Sequence, residues 1–310
     1  MWLLLKNWIP GAAGVAIAER KFMATGARAK REVRLPAVAG SFYPAEAAEL
    51  AATVSRLLST AQRRAGKQRG KLRALLAPHA GYLYAGRVAA CAYRELAVAY
   101  PPRASSPHFV LIGPAHHMSF DGLACAKSNF WLTPLGKVRH KPAGGLARSG
   151  GQFLLMEEPH VPEHSLEVQL PFLQKLYGAD FSITCFLTAS SKLDFEKVAT
   201  TLLTTYANSV FIFSSDLSHY LPLPQAEACD RETLQALKQG KREYLLKKEN
   251  CACGAVGLAI ALTMAKSENW RAASFCYDTS AAASGDESAV VGYAALGWYA
   301  GNIDKKADLR

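Results

Sequence analysis

The apolar positions of the chain follow two rhythms. Short runs rich in β-branched and aromatic residues, each stopped by Pro or Gly, predict buried strands. Leu75-Leu-Ala77 stops at Pro78 and Phe109-Val-Leu-Ile112 stops at Gly113-Pro114. Residues 181–188 and Val210-Phe-Ile-Phe213 read the same way. Apolar residues three and four apart predict helices over 45–65, 87–98, 191–207, 224–238, 242–249 and 255–266. Further strands are predicted near 121–125, 136–140, 272–277 and 289–299, with Gly81 to Gly86 a turn and Asp278 to Asp286 a surface loop. Pro162 suits a helix start, and a helix over 161–172 would put Glu163 and Glu167 on one face. Strands alternate with helices and some strands are neighbours in sequence. The pattern is that of an α/β fold with a central mixed sheet flanked by helices. No repeat or low-complexity linker divides the 310 residues. The expectation is one large domain over about 34–300, with a leader over 1–33 and a tail over 301–310.

Charge changes this picture little. The net charge is +11, and it is local: residues 1–33 carry +4 and residues 56–73 carry +7, so the remainder is balanced. A basic segment attracts polyanions without selectivity. No aromatic residues are interleaved for base stacking, so no specific nucleic-acid partner is expected. The leader has no apolar run long enough to span a bilayer, and no membrane association is expected. Seven cysteines, at these spacings and this length, do not describe a disulfide framework. That usage points to a reducing, cytoplasmic setting.

Three of the predicted strands end on one plan. Leu75-Leu-Ala-Pro-His79, Phe109-Val-Leu-Ile-Gly-Pro-Ala-His-His117 and Val210-Phe-Ile-Phe-Ser-Ser-Asp-Leu-Ser-His219 each deliver histidine just past an apolar run. Ligands of open α/β sheets bind at the carboxyl ends of strands, so these histidines can share a site. His79 and His116 are the candidate metal-binding imidazoles. Cys253 precedes a predicted helix, whose N-terminus favours the thiolate, and is the third candidate ligand. His219 is the candidate acid–base group and Asp216 its candidate partner or orienting group. Glu163, His164, His117 and Tyr82 are candidate substrate-binding residues beside them. A Ser-His-Asp hydrolase lacks the Gly-x-Ser-x-Gly elbow here.

The quoted segments, in this order, resemble the Memo family, whose prokaryotic members are called AmmeMemoRadiSam system protein B. The residues carrying the resemblance are Arg34-Leu-Pro-Ala-Val-Ala-Gly-Ser-Phe-Tyr-Pro44, Ala77-Pro-His-Ala-Gly-Tyr82, Gly113-Pro-Ala-His-His117, Glu163-His-Ser-Leu-Glu167, Ser214-Ser-Asp-Leu-Ser-His219, Cys253-Gly254 and Val290-Val-Gly-Tyr293. The resemblance implies a fold like that of class III extradiol dioxygenases of the LigB type. It also implies iron or copper, with zinc as an alternative, on His79, His116 and Cys253. The extradiol enzymes hold Fe(II) with two histidines and a glutamate. Cys253 stands in for that glutamate, so their dioxygenase activity does not follow. The implied function is a metal-binding protein, with a metal-dependent oxidoreductase as its candidate activity. An extradiol-type dioxygenase on a catechol-like substrate and a non-catalytic peptide- or ligand-binding module stand as alternatives. A radical-SAM protein and a second small protein are the partners the resemblance implies.

Overall fold

In a computed structural model, residues 32–61, 70–101, 107–148 and 151–301 are described. Most of the expected leader, residues 62–69 of the basic segment and the tail from 302 lie outside the described residues. Twelve described strands form one mixed sheet. They are β1 (Val33–Arg34), β2 (Lys71–Ala77), β3 (His108–Pro114), β4 (Leu123–Cys125), β5 (Phe130–Thr133), β6 (Gly136–His140), β7 (Phe153–Leu155), β8 (Ser182–Thr188), β9 (Val210–Ser214), β10 (His219–Leu221), β11 (Arg271–Thr279) and β12 (Val290–Ala300). The main path runs β1-β5-β6-β8-β3-β9-β2-β12-β10. Its centre, β6-β8-β3-β9-β2, is parallel, and β12 adds antiparallel to β2.

The helices are α1 (Ala47–Thr60), α2 (Tyr82–Ala99), α3 (Gly144–Arg148), α4 (Leu170–Tyr177), α5 (Phe195–Thr205), α6 (Leu223–Gln239), α7 (Arg242–Lys247), α8 (Ala255–Ser267) and α9 (Ala281–Ser284). Side chains of a strand alternate between faces, and the central strands divide their apolar residues accordingly. Leu75, Leu111 and Ile212 pack with α1, α2 and α4 on one face. Leu76, Val110, Ile112, Phe211 and Phe213 pack with α5, α7 and α8 on the other. Helix α8 is buried along most of its length, which explains its nearly unbroken apolar sequence. None of the described helices is long and apolar enough to cross a membrane.

Four expectations need correction. First, Gly81 to Gly86 is not a turn: α2 already begins at Tyr82. Gly86 lies inside it, where an added Cβ would come 2.9 Å from Leu57 of α1. Second, residues 161–166 are not helical, and only a 3-10 turn, Glu167–Gln169, leads into α4. Third, β1 begins before residue 34. Val33 pairs with Phe130, and the Glu32 carbonyl accepts the Asn129 and Phe130 amides, both at 2.9 Å. Fourth, the cysteines are not all free. Cys91 of α2 and Cys276 of β11 form a disulfide with Cα atoms 6.3 Å apart, leaving five free thiols. One bond is not a framework.

Candidate metal centre

The three strands expected to converge are adjacent and parallel in the order β3-β9-β2. His116, Asp216 and His79 each lie two residues beyond their strand's end. They therefore emerge side by side at the carboxyl edge of the sheet.

His79 is held most completely. Its amide donates to Asp216 Oδ1 at 2.7 Å, and its Nδ1 lies 3.0 Å from Ser214 Oγ. The Ser214 hydroxyl has one proton, which it donates to the Ser165 carbonyl at 2.6 Å. Towards His79 it must accept, so Nδ1 carries the ring proton and Nε2 presents a lone pair. Ser214 is itself fixed by Gln169 Nε2, which donates to it at 2.9 Å and to the Pro78 carbonyl at 3.0 Å. Tyr93 donates to Gln169 Oε1 at 2.8 Å, settling the amide's orientation. Sequence reading missed Gln169 and Tyr93, because their contacts span 45–91 residues and belong to no local motif.

Glu163 does the same for two more imidazoles. Its Oε1 lies 2.9 Å from His116 Nδ1 and 3.3 Å from His164 Nδ1. It also accepts the amides of His164 and Ser165, while Oε2 accepts the His116 amide at 2.6 Å. Burial alone would raise this carboxyl. The hydrogen bonds and charge of His116, with the charge of His164, outweigh burial and hold it well below its usual value. A carboxylate accepts from Nδ1–H, so His116 turns Nε2 outward, while His164 stands beside the carboxylate as a charge partner.

His79, His116 and His164 thus converge, with ligand atoms all within 4.8 Å of one another. Ring centroids are 5.2 Å apart for His79 and His116, 5.4 Å for His79 and His164, and 4.8 Å for His116 and His164. Burial lowers His79 well below the ordinary imidazole value, helped by the charges of His164 and His116. Burial likewise lowers His164, to about 4. Neutral imidazoles are the form that binds a metal.

Cys253 stands beside this trio rather than within it. Its Sγ lies 3.2 Å from His79 Nε2 and accepts the Asp216 amide at 3.2 Å. Gly254 allows the approach: a Cβ there would lie 2.7 Å from Ser215 Cβ and 2.8 Å from the Ser214 carbonyl oxygen. The expected thiolate is not intrinsic to the helix N-terminus. Burial, then the charge of Asp216, pushes the Cys253 thiol well above its usual value. Cys251 is buried, with Sγ 3.6 Å from the Leu245 carbonyl. Asp216 is raised to about 7, because burial outweighs the amides of His79 and Ala80. His219 is lowered by burial, and its charge bears on that of His79.

The remaining candidates divide. His117 is exposed, and its ligand atom lies within 4.8 Å of those of Glu163 and His164. Tyr82 is buried against Tyr43 and Phe172 and donates its hydroxyl to the Val168 carbonyl at 2.6 Å, so it holds α2 in place. Glu167 is buried as well. It accepts from Arg34, the amides of Ala37 and Val38, and the Tyr43 hydroxyl. That explains the Arg34-to-Pro44 segment: it wraps a buried carboxylate.

Comparison with known proteins agrees with this reading of the sequence. The model of the Memo-like protein family matches residues 34–297. A MEMO1 family protein of Aeropyrum pernix is 32% identical over 289 residues, covering 86% of this chain and 99% of its own length. One of Thermoplasma acidophilum is 33% identical, covering 85% and 97%. One of Methanosarcina barkeri is 36% identical, covering 85% and 99%. Matched over nearly its whole described length, the chain belongs to the Memo-like protein family.

Proposed function

We propose that the protein binds a redox-active metal ion, iron or copper, at the carboxyl edge of β3, β9 and β2, and works there as an oxidoreductase. The carrying observation is the convergence of His79, His116 and His164 within 4.8 Å. The donor set fits such an ion. Imidazoles suit iron, copper and zinc, and the neighbouring Cys253 thiol favours the softer of these. The 3.2 Å between Cys253 Sγ and His79 Nε2 is an ordinary spacing for two ligands on one ion.

A bound iron or copper ion would supply one-electron chemistry. The chain's own residues would supply position and protons. Ser214 and Glu163 aim the imidazoles, and the low proton affinity of His79 and His164 keeps them available as donors. Asp216, at about 7, would exchange a proton near neutral pH, and partly exposed His219, whose charge bears on that of His79, is the candidate acid–base group.

The test is elemental analysis of anaerobically purified protein, with affinity measured for each variant. His79→Ala and His116→Ala should abolish high-affinity binding, and Cys253→Ser should weaken it strongly. Cys251→Ser should leave it intact. The affinity should fall with pH, because the Cys253 thiol must lose its proton to bind. Full metal occupancy in both histidine variants would overturn the proposal.

A further inference from the structure

We propose that the Cys91–Cys276 disulfide is a site of reversible thiolation. A low-molecular-weight thiol attacks Cys276 from solvent, and Cys91 leaves and later returns. Neither cysteine belongs to the metal centre. The first observation is how Cys276 reaches α2. Side chains of a strand alternate between faces. Ser274 pairs with Leu296, which packs on the α8 face, and strict alternation would turn Cys276 the same way. The register shifts between Ser274 and Cys276, so Phe275 is an extra residue and Cys276 pairs with Ala295 on the α2 face. A bulge re-aims a side chain in this way. It brings Cys276 to Cys91, and the bond ties α2 to a strand that pairs, among the described strands, with β12 alone.

The second observation is access. Both cysteines line a crevice of about 320 Å³, beside Arg87, Val88, Phe275 and Tyr277. That volume lies at the small end of small-molecule sites. Cys91 is only 5% exposed, whereas Cys276 is partly exposed. Exchange proceeds by attack of a thiolate on an accessible disulfide sulfur. Cys276 therefore takes the incoming sulfur. One S–S bond forms and one breaks: the small thiolate becomes half of a mixed disulfide with Cys276, and the electron pair of the old bond leaves on Cys91. The Cys91 Sγ lies 3.5 Å from the Arg87 carbonyl, so the expelled thiolate, once protonated from solvent, has an acceptor one helical turn away. The reverse attack of Cys91 on Cys276 expels the small thiol and restores the bond. The charged residues lining the crevice, Arg87 and Asp278, stand 4.0 Å apart and offset one another, so access and not charge selects the thiol.

Reduced glutathione is the probe, applied to the full native chain, with alkylation of new thiols and peptide mapping as the readout. The Cys91–Cys276 bond should open without denaturant, at a rate that urea below the unfolding transition leaves unchanged. A rate that climbs with urea along the slope of global unfolding would mean that only unfolded chains react, and would overturn the proposal. So would a bond that stays closed. Two variants then identify the attacked sulfur. Cys91→Ser and Cys276→Ser lose the same bond, so any destabilisation is common to both. With oxidised glutathione, Cys276 in Cys91→Ser should form the mixed disulfide about tenfold faster or more than Cys91 does in Cys276→Ser. Equal rates, or faster reaction at Cys91, would overturn the proposal as well.

Discussion

Arg34→Met tests whether the first described strand anchors the fold. The Arg34 and Glu167 side chains are almost fully buried as a direct ion pair. Removing Arg34 leaves the Glu167 charge with two amides and the Tyr43 hydroxyl, and strips the donors from the carbonyls of His160 and Glu163. It also removes a guanidinium packed 4.3 Å over the Trp131 ring. Breaking a buried pair from one side costs about 3–5 kcal/mol. At about 2 °C per kcal/mol for a domain of this size, the melting temperature should fall by roughly 6–10 °C. Arg34→Lys should recover only part of this, because an ammonium cannot serve three divergent acceptors as the guanidinium fork does. Urea unfolding of wild type, Arg34→Met, Glu167→Gln and the double variant would measure the coupling, with Arg34→Lys alongside. The control is the exposed pair Lys192–Asp121, at 3.6 Å, whose removal should cost less than about 1 kcal/mol. A loss for Arg34→Met no larger than that control would refute the reasoning.

Two further outcomes follow. Burial lowers His140 to about 4, and the imidazole sits between the Ser128 carbonyl at Nδ1 and the Cys185 amide at Nε2. The unfolded chain binds that proton near pH 6.5, so stability is full above 6.5 and falls as pH drops towards 4, by up to about 3 kcal/mol. Urea midpoints across that range should fall less steeply in His140→Gln, and parallel curves would exclude His140 as a source. Thiol counting on protein denatured without reductant should find five free thiols, and seven after reduction of Cys91–Cys276. Reduction should destabilise the fold by about 2–4 kcal/mol, and seven thiols at the outset would rule the bond out.

Much of this structure was legible in the sequence because it depends on local signals. The apolar runs ending in Pro78, Gly113-Pro114 and Ser214 gave β2, β3 and β9, and the rule that ligands sit beyond strand ends put His79, His116 and His219 at one edge; the structure clusters the first two with His164, whereas His219 opens β10. What sequence could not give is order along the sheet. Nothing in the local pattern says that β9 lies between β3 and β2. Nor could it rank His164 against Cys253 as the third neighbour. That depends on Glu163 drawing the His164 ring beside His116, a contact made across 47 residues. The thiol of Cys253 was misread for a related reason: a helix start favours thiolate, but burial beside Asp216 outweighs it.

The misread first half of the helix expected over 161–172 shows how the site is made rigid. The sequence there has a proline, acids and apolar residues at helical spacing, and local propensity favours a helix. In the fold, Glu163 turns its carboxylate back on the amides of His164 and Ser165 and across to the amide and ring of His116. A helix would engage those amides with carbonyls four residues earlier and pull the carboxylate away from His116. The Glu163 carbonyl, left without a helical partner, is taken by Arg34, and so is the His160 carbonyl. One guanidinium thus makes the irregular backbone affordable and holds Glu167 as well. The imidazoles of His116 and His164 are aimed by a loop whose shape is set from Arg34, more than 120 residues away in sequence. Loosening Arg34 should therefore weaken metal binding through Glu163 while leaving Ser214 and His79 undisturbed, and Arg34→Lys, which should still fold, separates the two effects. Its metal affinity should drop further than that of an equally destabilised variant outside this network, and equal affinity in the two would show that Arg34 stabilises the domain without shaping the site.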